Sequence, residues 1–216
     1  MTKIIIFRIA VFSIFILISC LLSANYQDMV GFALVLSVGL IHGANDLLII
    51  KKNSKSISNF SQFRTFFAYI GVVFVGLIFF YLIPSFALIT FILVSIYHFG
   101  EQHIQAIPIT RKLRSNYRVI SIVSHGIILF TIIFMNNIEV VNNVFLSFKI
   151  NFLSSNTLNL ILVTVTVVYM STLVINKYLT SFIISEILFF VLFYFLSLSS
   201  TLILCFSVYF IFFHSI

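Results

Sequence analysis

The sequence predicts an all-α, polytopic integral membrane bundle of about 7–8 transmembrane helices, forming a single transmembrane domain over residues 1–216. Three observations lead there. Apolar residues make up 62% of the chain and charged residues 8%, whereas a soluble domain is nearer half apolar and a quarter charged. Too few charges remain to build a wetted surface. Apolar runs of about 20 residues, the length that crosses a bilayer, follow one another with short polar breaks. With only 2 prolines in the chain, those runs are free to stay helical.

Eight runs qualify: Ile4–Leu22, Met29–Ile50, Phe63–Ile83, Phe86–His103, Tyr117–Met135, Leu158–Ile175, Thr180–Leu196 and Ser199–Ile216. Little polar sequence separates the last two. The longest connection, Asn136–Thr157, has room for a short interfacial helix. The first run carries Lys3 and Arg8, and Leu17-Ile18-Ser19-Cys20 has the form of a lipoprotein cleavage box. The chain that follows is itself membrane-embedded, so no cleaved leader is expected. Cys20 and Cys205 fall in apolar runs, where free buried thiols are expected rather than a disulfide.

Basic residues set the orientation. With the N-terminus cytoplasmic, Lys3, Arg8, Lys51, Lys52, Lys55, Arg64, Arg111, Lys112, Arg114, Arg118 and Lys177 fall inside and only Lys149 outside, eleven against one. Short loops rich in Lys and Arg stay cytoplasmic. The net charge of +7 therefore reads as orientation against the inner leaflet and not as a nucleic-acid surface.

Ionisable side chains are costly inside a bilayer and are candidates for function. His42 lies thirteen residues after Met29, His98 twelve after Phe86, and His214 fifteen after Ser199. All three runs point from outside to inside, so at about 1.5 Å per residue the imidazoles share a depth of roughly 18–23 Å. Asp46 follows His42 by four residues and Glu101 follows His98 by three. Each pair shares a helix face, and a carboxylate there can accept the ring N–H that a metal leaves free. For one such pair, mutual satisfaction in a dry interior explains as much. Three imidazoles at one level favour a metal, and an all-imidazole set suits iron, zinc or copper. His125, eight residues after Tyr117, has the depth of a possible fourth ligand, or else bonds a backbone carbonyl. His103 is expected at the interface, off the shared face. Glu186 reads either as a protonated, hydrogen-bonded group or as a supporting one. Gly43, Ala44 and Gly100 need no more than close helix packing.

Gly39-Leu40-Ile41-His42-Gly43-Ala44-Asn45-Asp46 and Ser95-Ile96-Tyr97-His98-Phe99-Gly100-Glu101-Gln102 resemble two motifs of the Brp/Blh family of bacterial membrane β-carotene dioxygenases. Tyr209-Phe210-Ile211-Phe212-Phe213-His214-Ser215 resembles that family's C-terminal motif, with Phe213 where Trp is usual. The resemblance implies a non-haem Fe(2+) held by His42, His98 and His214, with Asp46 and Glu101 in support. It implies cleavage of β-carotene by dioxygen at its central double bond into two all-trans-retinal molecules, in the inner membrane, with the product serving a microbial rhodopsin. Some members carry a further His four residues after the last motif His. The chain ends two residues after His214, so a C-terminally truncated form is expected.

Two other classes compete. A transporter or channel would use the same His and acids as an ion path, and a haem protein would use His pairs as axial ligands. The orientation is open to a direct check. Reporter fusions at Ser56 and Ser115 are both expected to read as cytoplasmic, and two external readings would overturn the helix count or its direction.

Overall fold

The computed structural model describes residues 2–37, 59–106, 115–175 and 180–214. These residues form α1 (Thr2–Leu21), α2 (residues 24–37), α3 (Asn59–Leu82), α4 (Pro84–Ala106), α5 (Ser115–Asn136), α6 (Ile138–Ser147), α7 (Ser155–Ile175), α8 (Thr180–Ser199) and α9 (Leu202–Tyr209). A π-helical turn, Phe210–His214, continues α9. Each of the eight expected runs overlaps a described helix, and residues 38–50 of the second run lie outside the described residues. Helix α2 starts at residue 24, ahead of the expected Met29. The Asn136–Thr157 connection does hold a short helix, α6.

Large apolar side chains cover the outside as well as the core. Val72, Phe74, Leu77 and Tyr81 of α3 are exposed, as are Leu160, Val163 and Val167 of α7. Ser121, Ser124, His125 and Thr131 of α5 are buried. Four described helices are long and apolar enough to cross a membrane: Pro84–Gln105, Asn116–Asn136, Ser155–Ile175 and Phe182–Ser199. An exterior of large apolar side chains around a polar centre is what a lipid solvent selects.

Helix α5 is central. It packs against α4 and α7 and also touches α8 and α9, while α1 packs on α8. The α4–α5 contact is backbone on backbone. A Cβ at Gly100 would strike the carbonyl oxygen of Ile122, and one at Gly126 would strike that of Ile96. Glycine at these two places is therefore a requirement of the helix approach, as small residues generally are in membrane bundles.

Helix ends inside a bilayer need partners for their free backbone groups. One buried side chain serves two ends. Gln27 donates through Nε2 to the carbonyls of Ser19 (2.8 Å) and Leu22 (3.1 Å) at the end of α1. Its Oε1 accepts from the Thr201 N–H (2.8 Å) at the start of α9. The Thr201 hydroxyl then caps α9 at Leu204 N–H. That break at Ser200–Thr201 separates the last two runs, where the sequence offered little polar punctuation. Both cysteines are free; Cys205 is buried, but Cys20 is exposed, because it lies on the outward side of α1.

Gly100→Ala and Gly126→Ala are each expected to destabilise the bundle by about 1–3 kcal/mol, the usual cost of forced overpacking. Thermal unfolding in detergent micelles measures this; Gly71→Ala on α3, where a Cβ meets nothing within 4 Å, is the control and should stay neutral.

Candidate metal centre and substrate cavity

The buried polar centre is built around Glu186 on α8, which has no exposed surface. Its Oε1 accepts from Arg8 of α1 at 3.1 Å. Its Oε2 accepts from Tyr169 Oη of α7 at 2.8 Å and meets His103 Nε2 of α4 at 2.9 Å. Four helices thus meet at one carboxylate. Arg8 also bonds the Ser185 hydroxyl at 3.2 Å and lies 4.9 Å over the Phe189 ring. His125 of α5 stacks on His103, with centroids 3.7 Å apart and planes 18° apart. Its Nδ1 stands 3.8 Å from Glu186 Oε2. Neither nitrogen of His125 has a hydrogen-bond partner, though the ring is fully buried.

His103, His125 and Glu186 each bring one donor atom within 4.8 Å of the others, so this group could hold a metal ion. Two features count against it. Glu186 already accepts from three donors, one of them cationic. The two rings are also stacked, which keeps their nitrogen lone pairs in two nearly parallel planes about 3.7 Å apart.

The sequence-predicted residues divide. His125 joins the buried centre. His98 is exposed on α4 among Leu93, Val94 and Tyr97, and Glu101 is half-buried. His42 and Asp46 lie outside the described residues, as does the side chain of His214. His103 corrects an expectation: it is 4% exposed and hydrogen-bonded to Glu186, not interfacial. Five residues separate it from His98 on one helix, so the two point about 140° apart. Arg8, read as a cytoplasmic charge, is buried in the ion pair with Glu186. Tyr169 had no signal in the sequence beyond a hydroxyl in an apolar run.

A separate cavity of about 320 Å³ opens between α2, α4, α5, α6 and α9. Phe32 and Val35, Leu88 and Phe91, and Ile203 and Phe206 line it from the three helices that lead to His42, His98 and His214.

The β-carotene 15,15'-dioxygenase family matches residues 33–216, most of the chain. The chain belongs to that family. All three histidine motifs of this dioxygenase fall inside the matched stretch. Family membership carries the general activity, oxygen-dependent cleavage of a carotene by a membrane protein. No curated protein and no solved structure matches this family member.

Removing one partner of the buried ion pair is expected to destabilise the dioxygenase by about 3–5 kcal/mol. Arg8→Met and Glu186→Leu should each do so, since each leaves the other charge uncompensated. The double variant should lose less than the sum of the two, as measured by thermal unfolding in micelles; strict additivity would show that the pair is not coupled.

Proposed function

We propose that the protein cleaves β-carotene at its central double bond with dioxygen, using non-haem Fe(2+) held by His42, His98 and His214. The family match over residues 33–216, which contains all three motifs, carries this reading. In the reaction the carbon–carbon double bond breaks and each oxygen atom of dioxygen ends in one aldehyde. Two all-trans-retinal molecules result and no outside reductant enters. Iron, when bound, supplies the activation of dioxygen.

The chemistry of the three side chains suits such an ion. Neutral imidazoles are suitable iron ligands with positions left open. His98 lies on the α4 line that continues from the cavity residues Leu88 and Phe91. The backbone at His214 lies in a π-helical turn, a feature frequent at functional sites. In this reading Asp46 and Glu101 would accept the imidazole N–H groups and so orient the rings. His125 remains a possible fourth ligand only if its ring leaves the stack on His103. The cavity keeps water from the polyene, as none of its surface is polar.

The setting we propose is a bacterial inner membrane with a cytoplasmic N-terminus, and the retinal passes to a microbial rhodopsin. Family membership favours this enzyme reading over transport or haem binding. A second reading places the iron at His103, His125 and Glu186, favoured by their mutual approach within 4.8 Å. The stacked rings and the Arg8 contact favour the first.

Expression in β-carotene-producing cells is expected to bleach the orange colour and yield extractable retinal; retained colour without retinal would overturn the proposal. His98→Ala should abolish both bound iron and retinal. His103→Ala should weaken the fold yet leave iron bound in the surviving protein. The reverse pattern of iron loss would move the metal to the second group. Asp46→Asn and Glu101→Gln should be milder, with losses of about 10–100-fold.

A further inference from the structure

We infer that the apolar cavity between α2, α4, α5, α6 and α9 holds one ring of the carotene and so sets which double bond is cleaved. The inference rests on the proposed carotene cleavage and deepens it. Three observations carry it.

The first is size. A cavity of about 150 Å³ takes a benzene, and this one is about 320 Å³. That is room for a methylated six-membered ring and the start of its polyene. The second is chemistry. The lining is wholly apolar at its surface, built from residues such as Phe91, Phe134, Val141 and Phe145. The hydroxyl of Ser207, which also lines it, is directed at the Gly31 and Ile203 carbonyls, so the occupant is a hydrocarbon.

The third is register. On α4, Leu88 and Phe91 line the cavity and His98 follows them by ten and seven residues. At about 1.5 Å per residue this is about 10–15 Å along the helix, the length scale of half an extended carotene from its middle to a ring. The other two motif helices repeat the offset in sequence. His42 follows Phe32 and Val35 by ten and seven, and His214 follows Ile203 and Phe206 by eleven and eight. A ring seated in the cavity therefore lays the middle of the polyene at the level of His98 on α4.

Val141 of α6 is 3% exposed and lines the cavity, which makes it the residue to vary. Val141→Phe shortens the seat and slides the polyene. Retinal formation is expected to fall about tenfold, the scale of a pocket misfit. Two aldehydes of unequal length should appear, from the same balanced cleavage one or more bonds away from the centre. A change in product identity is not what loss of stability produces. Wild-type protein should cleave zeaxanthin, which carries a hydroxyl on each ring, about 10–100-fold less efficiently than β-carotene. An apolar pocket rejects an added hydroxyl only on that scale. Val141→Thr keeps the volume and supplies a hydroxyl partner, so it should narrow that ratio several-fold. If Val141→Phe does not accumulate, the zeaxanthin ratio and its response to Val141→Thr decide alone. Retinal from wild type with no discrimination against zeaxanthin, or a ratio unmoved by Val141→Thr, overturns the inference and leaves the cleavage reading standing. No retinal from wild type removes both.

Discussion

In a bilayer there is no water to answer a charge, so a buried carboxylate either finds donors or forces its helix out of place. Glu186 finds three, one each from α1, α4 and α7. Each donor fixes both the depth and the rotation of its helix. Arg8 reaches across 178 positions of sequence to close α1 onto α8, and that contact needs the N-terminal helix beside the next-to-last one. The arrangement of the outer helices follows from this, because the apolar residues that surround the centre pack about equally well in many rotations. Breaking one donor leaves the others and strands a charge, so the contacts are coupled more tightly than their separate strengths imply.

Helix α4 receives two constraints that act together. Gly100 and Gly126 hold its backbone against α5, and His103 turns one face toward Glu186. With distance and rotation both set, His98 has a defined direction on the other side of the helix. One helix therefore carries a histidine that serves the fold and another that serves the proposed chemistry, five residues apart. The stacked His125 adds bulk and polarisable contact to the first group while leaving both of its nitrogens unanswered.

The spans were legible because length and hydropathy in a membrane chain are nearly decisive. Even α6 was visible as a stretch too long to be a simple turn. The polar centre was not read, although its signal was present. Depth counting aligned His42, His98 and His214, and the same count places Arg8 six residues into α1 and Glu186 six into α8. Both α1 and α8 are inner-side starts in the eleven-to-one orientation. Arg8 was assigned to orientation, which removed it from the set of charges seeking a partner. His103 was judged by its angle from His98 and its closeness to the basic loop, and a helix has more than one buried face when it packs on two neighbours. Gln27 escaped because a neutral amide in the polar break between two runs raises no alarm, and its value lies in two helix ends far apart in sequence.

The same logic of anchoring extends to the helices around the cavity. Helix α2 is tied to α9 by the Ser207 hydroxyl on the Gly31 carbonyl at 2.9 Å, and by Gln27 at the start of α9. Gly31 has no room for a Cβ against Ile203, so these two helices touch closely, as α4 and α5 do. Each helix that leads to a motif histidine is thus pinned near the cavity by a polar bond or a glycine contact. The three-helix metal site we propose would need that, because ligand positions tolerate displacements of only about half an ångström. The fold separates the two demands. Tight polar and glycine contacts set the helix positions, and the apolar cavity beside them is the place we assign to a substrate that has no polar groups with which to orient itself.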